Sequence, residues 1–211
     1  MTKQPATGRH PTHDWASDHD PAHIERIRRE PAVFAPGGAS HLVLEVLAYA
    51  ADEAAHTGSG HAIVTLHDDG SVSVTDNGRG TATHAGGQSQ AVKKPVMTTK
   101  DLRFFDTPEA EALPDGHPRR GLSVVTALST WLEHTNRRHD GAWTQRYENG
   151  TPATALTPIP ADGTTGTTVR FLPDTDLVSS TEIPLTALRQ LAPAFGPALT
   201  VKITAHRANV A

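Results

Sequence analysis

The longest regular pattern of apolar and polar positions covers residues 40–55, SHLVLEVLAYAADEAA. Apolar side chains recur there three and four positions apart, which is the spacing that places them on one face of an α-helix. Ser40 follows Gly37-Gly38, and serine often caps a helix N-terminus through its side-chain oxygen. The pattern therefore predicts an amphipathic helix with Ser40 as its N-cap.

Strand patterns follow this helix and pair into hairpins. Residues 62–67 and 71–75 flank Asp68-Asp69-Gly70, residue types that supply the positive φ of a tight turn. Other predicted elements are a hairpin of 131–135 and 143–147 around Asp140-Gly141, a turn at Asn149-Gly150, strands at 167–172 and 200–205, and helices at 121–129 and 185–191. Hairpins interspersed with a few helices favour an α/β fold, with a largely antiparallel or mixed sheet covered by helices on one face.

Two segments have no sustained periodicity. Residues 1–22 are rich in proline and histidine and poor in large apolar groups, which predicts a disordered tail ahead of a domain at 23–208. Residues 81–120 carry prolines and charges. A loop of that length inside a compact domain is usually a functional lid or a disordered insert.

Composition narrows the classes of function. A chain of 211 residues has room for one large domain and a tail, and the absence of cysteine excludes disulfides, thiol nucleophiles and cysteine-ligated zinc. A net charge of −4 leaves no global excess of positive charge to hold nucleic acid by counterion release alone. Neither a signal peptide nor a long apolar run is visible, so a cytoplasmic protein with no membrane partner is expected.

The most informative chemistry lies at TDNGRG, residues 75–80, where a predicted strand ends. The Asp76 carboxylate can accept a hydrogen bond from an exocyclic amine, and Gly78 and Gly80 let the backbone approach a flat ligand. By itself the segment could equally be an ordinary polar turn. Its neighbours along the chain have to decide.

Three other features add weight to this segment. The predicted helix at 40–55 carries polar groups on roughly one side, which are either site residues or exposed helix acids. Gly121 opens a further helix whose first N–H groups form an anion site. Residues 163–168, GTTGTT, bring hydroxyls and amides to the start of a strand. The order of these features is more specific than any one of them.

That order resembles the ATP-binding domain of DNA gyrase B, in the superfamily that also contains the Hsp90 chaperones, histidine kinases and MutL. The resemblance covers about residues 24–206 and is carried by HLVLEVLAYAADEA, VTLHDDGSVSVTDNGRG, GLSVVTALSTWLE and GTTGTTVRFLPD. It implies the Bergerat ATP-binding fold, an α/β two-layer sandwich with the nucleotide between sheet and helices under a mobile lid.

The resemblance also implies roles for individual residues. Glu45 matches the general base that activates the attacking water, and His41 matches the residue that orients it. Asp76 matches the carboxylate that binds the adenine amine, assisted by Thr167. The remaining matches are the adenine-site glycines Gly78 and Gly80, the pocket-flanking pair Arg79 and Glu53, Arg138 at the mouth where aminocoumarin inhibitors also bind, and Gly121 as the last glycine of the phosphate-binding lid.

The phosphate half departs from the family pattern. Ala48-Tyr49 replaces an Asp-Asn pair whose asparagine is the usual magnesium ligand, and neutral tyrosine is a poor ligand for a hard cation. Residues 117–121, HPRRG, replace the GLHGVG lid. Arg119 and Arg120 could contact phosphates by charge, but Pro118 restricts the backbone. No metal ligands are therefore assigned, and magnesium-dependent hydrolysis is in question.

The sequence thus favours a stand-alone module that binds ATP or ADP with slow or absent hydrolysis. Two alternatives stay open: an active ATPase component of a topoisomerase-like assembly, and a regulatory or decoy protein that binds aminocoumarin-type inhibitors. The resemblance implies DNA only through family analogy or partner proteins, because the chain stops where the family continues into transducer and DNA-cleavage modules.

Overall fold

The computed structural model describes residues 19–85, 91–93, 96–107 and 110–205. The helices are α1 (Pro21–Arg29), α2 (Pro31–Phe34), α3 (Gly38–Thr57), α4 (Leu122–Ala127) and α5 (Leu185–Leu191), the last followed by a 3₁₀ turn at Ala192–Phe195. The strands are β1 (Gly60–Leu66), β2 (Val72–Asp76), β3 (Thr83–Ala85), β4 (Ala91–Lys93), β5 (Ser129–Arg138), β6 (Gly141–Glu148), β7 (Thr151–Pro152), β8 (Thr157–Pro158), β9 (Gly166–Pro173) and β10 (Leu199–Ala205).

Eight of these strands form one sheet in the order β10-β1-β2-β9-β5-β6-β7, with β8 paired to β6. Strands β1 and β10 run parallel, whereas the other neighbours in the sheet are antiparallel. Strands β3 and β4 form a separate antiparallel pair. The predicted α/β class with a mixed, mostly antiparallel sheet is confirmed.

The helices cover one face of this sheet and build the core with it. Helix α3 packs against β1, β2 and β10, while α4 packs against β5 and β9. Within α3, Leu42, Leu44 and Leu47 are fully buried. Since burial of apolar area is the main favourable term in folding, this long helix supplies much of the core that holds the two layers together.

The start of α3 differs from the prediction. The N-cap residue is Gly37, without a side-chain cap, and Ser40 lies inside the first turn. The backbone N–H of Ala39 donates instead to the carbonyl of Ser180, at 2.8 Å. The helix therefore begins before the predicted cap, and a distant loop satisfies one of its first N–H donors.

Part of the chain that lacked periodicity is nevertheless well packed. Residues 1–18 of the predicted tail lie outside the described residues, but α1 already begins at Pro21, with Asp20 accepting a hydrogen bond from the His23 backbone at 3.0 Å. Within the predicted loop, Met97 and Phe105 belong to the core. Among the helices of the described residues, none is both long and apolar enough to cross a bilayer.

Candidate functional site

A cavity of about 540 Å³ lies between α3 and strands β2, β5 and β9. This volume falls within the range of small-molecule sites. Seven of the predicted site residues line it: Tyr49, Glu53, Asp76, Arg79, Gly80, Arg138 and Thr167. The predicted catalytic pair, Gly78 and Gly121 are not among the lining residues.

Asp76 and Thr167 form the polar end of the cavity. Asp76 ends β2, and Thr167 lies at the start of β9, the neighbouring strand. The Thr167 hydroxyl donates to Asp76 Oδ2, and the Gly78 N–H donates to Oδ1 at 2.8 Å. Burial raises the pKa of Asp76, while these two hydrogen bonds partly offset it. The carboxylate is thus fixed in place and can accept a hydrogen bond from a ligand amine.

A two-pronged ion pair joins α3 to the loop after Asp76. Arg79 donates through Nε to Glu53 Oε1 at 2.6 Å and through Nη2 to Oε2 at 2.9 Å. These hydrogen bonds from Arg79 hold the pKa of Glu53 below its usual value. A Cβ at Gly78 would lie 2.5 Å from Glu53 Cγ, so Glu53 itself explains why a glycine occurs there.

Hydrogen bonds join the loop at the mouth of the cavity to β5. Arg138 donates through Nη1 to the Gly80 carbonyl at 2.9 Å, and the Asn136 side-chain carbonyl oxygen accepts from the Thr81 N–H at 2.6 Å. Gly80 has a φ of +77°, and a Cβ there would lie 2.5 Å from the Arg137 carbonyl oxygen. Gly80 and Arg138 were predicted as site residues from the sequence. The fully buried Asn136, which accepts the hydrogen bond from Thr81, was not.

The predicted catalytic pair is buried away from the cavity. His41 Nδ1 lies 2.7 Å from Asp115 Oδ2, whereas Nε2 lies 3.6 Å from Glu45 Oε1, too far for a hydrogen bond. Burial alone would lower the pKa of His41, but the hydrogen bond to Asp115 and the charges of Asp115 and Glu45 outweigh it and raise that pKa to about 9. His41 is therefore an imidazolium between two carboxylates at neutral pH.

Glu45 caps the start of α4. Its Oε1 accepts from the Arg120 N–H at 2.5 Å and its Oε2 accepts from the Gly121 N–H at 2.9 Å. The side chain is fully buried. Two N–H groups at the predicted anion site, those of Arg120 and Gly121, are thus occupied by the protein's own carboxylate, which the positive end of a helix favours.

A cluster beside Gly121 consists of Tyr49 and four charged side chains, those of Asp52, Asp101, Arg103 and Arg119. The Tyr49 hydroxyl donates to Asp101 Oδ2 at 2.5 Å, and Arg103 donates to both oxygens of Asp101, at 3.0 and 2.7 Å. The buried Arg119 guanidinium donates to both oxygens of Asp52, at 3.1 and 2.8 Å, and lies 4.7 Å from the Tyr49 ring. Burial and then the Asp101 charge raise the pKa of Tyr49 well above its usual value, so the hydroxyl stays protonated.

This cluster does not fit a magnesium ion. Its carboxylates, Asp52 and Asp101, are already bonded to guanidinium groups, so a divalent cation would meet two positive charges there. Tyr49 offers a hydroxyl that is itself donating. No three His, Cys, Asp or Glu side chains within the described ranges form a group that could hold a metal ion.

Arg119 and Arg120, which the sequence offered as phosphate contacts, are bonded inside the protein instead. Arg119 holds Asp52, and Arg120 donates to the carbonyls of Phe104 and Phe105 at 3.1 and 2.9 Å. The sequence patterns did not indicate Asp115 as the partner of His41 in the predicted catalytic pair. The available signal was local: Asp115 accepts from the His117 N–H at 3.1 Å, as aspartates in turns do.

The chain has relatives among known proteins, although no protein-family model matches it. It is similar to the mitochondrial DNA gyrase B polypeptide of Arabidopsis thaliana, with 36% identity over 171 residues, covering 74% of this chain and 23% of that protein. It is also similar to the B polypeptide of DNA topoisomerase 4 from Staphylococcus epidermidis, with 37% identity over 166 residues, covering 75% of this chain and 24% of that protein.

The fold has a counterpart among solved structures. It is similar to the topoisomerase IV ATP-binding domain of Francisella tularensis, solved in complex with a small-molecule inhibitor, with a TM-score of 0.69 and 26% identity. That similarity covers 86% of this chain and 50% of the solved one. The chain spans about a quarter of the length of the curated relatives that it matches.

Proposed function

Because the chain is homologous to DNA gyrase B and topoisomerase IV B, with the fold of a topoisomerase ATP-binding domain, we propose that it binds ATP or ADP. We propose further that hydrolysis is slow or absent. The observation that carries the first proposal is the Asp76–Thr167 pair, which presents a fixed carboxylate to a cavity of about 540 Å³.

The arrangement of Glu45 supports the second part of the proposal. A general base must lie within hydrogen-bond reach of the proton that it abstracts. Glu45 is fully buried and does not line the cavity, and it already accepts two backbone N–H bonds, with a protonated His41 3.6 Å away. An alternative as an active ATPase component would require the Glu45 carboxylate to become accessible to a water molecule in the cavity.

Titration calorimetry with ATP and ADP tests the nucleotide proposal. Asp76→Asn replaces one carboxylate oxygen with an NH₂ group, so it is expected to weaken affinity by about tenfold or more, the cost of losing a charge-assisted hydrogen bond. Glu45→Gln lies outside the cavity lining and is the matched control, expected to change affinity less. No binding to the wild type, or the reverse order of the two variants, would refute the proposal.

Phosphate release tests the hydrolysis proposal separately. Release that disappears in Glu45→Ala while nucleotide still binds would establish the active ATPase instead. Candidate partner proteins and DNA belong in the same assay, because any role in DNA topology is a proposal by homology alone.

The proposal extends to small-molecule inhibitors and to the location of the protein. We propose that small molecules of the kind held by the related topoisomerase IV domain occupy the same cavity, with aminocoumarin-type inhibitors contacting Asp76 and Arg138. Competition between such an inhibitor and ATP is the expected result. A cytoplasmic location, inferred from the sequence, completes the proposal and is testable by cell fractionation.

A further inference from the structure

The two ends of the cavity differ in what they offer a ligand. At one end, Asp76 is bonded to Thr167 and to a backbone N–H, and its carboxylate borders open volume. Beyond the other end, where a ligand held at Asp76 would extend towards α4, the wall is made by Tyr49, Arg103 and Leu122. The chemistry of this second wall decides how much of a nucleotide the site can bind.

Two backbone N–H groups that lead into α4 are already used. Glu45 accepts from the N–H groups of Arg120 and Gly121, at 2.5 and 2.9 Å. A Cβ placed on Gly121 would lie 3.1 Å from Asp101 Cβ and 3.3 Å from the Tyr49 hydroxyl, so side chains cover this glycine closely. A phosphate could reach these donors only by displacing a buried carboxylate and a partly buried ring.

The cationic side chains of the lining are also used. Arg79 pairs with Glu53 at 2.6 Å, Arg103 with Asp101 at 2.7 Å, and Arg138 with Asp140 at 3.2 Å. The lining holds three carboxylates, those of Asp52, Glu53 and Asp76, against the guanidinium groups of Arg79, Arg103 and Arg138. Among the described residues these formal charges cancel, so the lining that they form has no net positive charge to balance a polyphosphate.

A divalent cation cannot supply the missing charge at this wall. The carboxylates Asp52 and Asp101 are bonded to the guanidinium groups of Arg119 and Arg103, and the Tyr49 hydroxyl donates to Asp101. A cation there would have to displace two positive side chains, one of them fully buried. The nucleotide charge would therefore remain unscreened.

From these observations we infer that the site binds the adenosine part of a nucleotide, as the nucleoside or its monophosphate, without a divalent cation, and that further phosphates add no affinity. The inference rests on the proposed adenine-nucleotide binding and names its ligand class. It follows from the occupied N–H groups of Arg120 and Gly121, from the Tyr49 ring that covers Gly121, and from the internal pairing of the guanidinium groups among the described lining residues.

A ligand series on the full chain tests the inference. Calorimetry with adenosine, AMP, ADP and ATP is carried out once with magnesium chloride and once with EDTA. Adenosine and AMP are expected to bind within about threefold of each other, ADP and ATP to bind no more tightly, and magnesium to change each Kd by less than about twofold. ATP binding more than about threefold tighter than adenosine, in either buffer, overturns the inference.

This series separates failure of the inference from failure of the proposed function. If ATP binds tightly with magnesium and Asp76→Asn abolishes that binding, adenine-nucleotide binding stands and the inference falls. If none of the four ligands binds, or if Asp76→Asn binds them as the wild type does, the proposed function itself falls. Equal or weaker binding of ATP that depends on Asp76 supports both.

Two variants of Tyr49 test the role of its ring. Tyr49→Ala removes the ring between α3 and Gly121, whereas Tyr49→Phe keeps the ring and loses only the hydroxyl. The ratio of adenosine Kd to ATP Kd is expected to rise by about fivefold or more in Tyr49→Ala and to stay near the wild-type value in Tyr49→Phe. An unchanged ratio in a folded Tyr49→Ala contradicts the assignment; should that variant not fold, the wild-type ligand series decides alone.

Discussion

The charge on His41 is predicted to control how the stability of the protein changes with pH. The side chain is fully buried, with Nδ1 2.7 Å from Asp115 and Nε2 3.6 Å from Glu45. Its pKa is raised from 6.5 to about 9 in the folded protein. A shift of that size corresponds to about 3 kcal/mol of unfolding free energy.

The sign of this effect follows from the direction of the shift. The folded state binds the proton more tightly than the unfolded state, so the contribution is fully present below pH 6.5. It is lost progressively as the pH rises from 6.5 to about 9. The lowered pKa of Asp115 reflects the same contact with His41, so the two shifts are not added together.

His41→Asn is the test variant, because the asparagine NH₂ can take the place of Nδ1 opposite Asp115 without titrating. Urea unfolding of wild type and variant is measured at constant ionic strength from about pH 6 to about pH 9.5. The wild type is expected to lose about 3 kcal/mol more than the variant over that range. Asp115→Asn, which removes the hydrogen-bonded partner, is expected to flatten the wild-type slope as well.

Other groups that titrate in this range affect both proteins, so the difference between the curves isolates His41. Parallel curves for wild type and His41→Asn would refute the assigned charge state. So would a wild type that gains stability relative to His41→Asn towards pH 9, because that difference requires the unfolded state to bind the His41 proton more tightly.

Three further predictions test the cavity and the cluster beside it. Adenine-nucleotide affinity should fall on acidification at a higher pH than an ordinary aspartate would give, because burial raises the pKa of Asp76; a Kd that stays constant down to about pH 4, the usual aspartate pKa, contradicts this. Asp52→Ala should lower the free energy of unfolding by about 3 kcal/mol, because it removes the carboxylate that accepts two hydrogen bonds from the buried Arg119. Arg119→Met, which leaves a half-exposed carboxylate, should cost less, and denaturant curves in the reverse order would contradict the pairing. Gly80→Ala should destabilise by about 1 to 2 kcal/mol more than Gly163→Ala. Both glycines have positive φ, but only a Cβ at Gly80 meets the protein within 4 Å, so equal melting temperatures would argue against the close approach to β5.

Local patterns predicted the elements whose structure depends on local chemistry. The hairpin turn at Asp140-Gly141 joins β5 to β6 as expected, and Asn149 and Gly150 adopt φ values of 50° and 85° in the predicted turn. Helix α3 was also predicted, apart from its first turn, which a loop around Ser180 fixes. Its N-terminus could not be predicted because the deciding hydrogen bond comes from a distant part of the sequence.

In the candidate site, too, some contacts were predicted from the sequence and others were not. Asp76 and Thr167 were predicted together, and the antiparallel pairing of β2 with β9 brings them into contact. The partners of His41 and Tyr49, Asp115 and Asp101, were not predicted. Both aspartates lie in a segment without periodicity, where packing against α3 decides which side chains meet. No rule based on spacing reaches across 74 or 52 residues.

The His41–Glu45 pair illustrates why a retained motif does not establish an activity. One turn of α3 separates the two residues, which is the spacing that the resemblance to gyrase B associates with water activation. In this chain Glu45 caps α4, and the protonated His41 lies between the carboxylates of Glu45 and Asp115. The capping role requires only a buried carboxylate at the start of α4, whereas catalysis requires a carboxylate within hydrogen-bond reach of a water molecule. Because the phosphate half of the site has changed around Glu45, a structural role alone suffices to explain why its side chain is buried there.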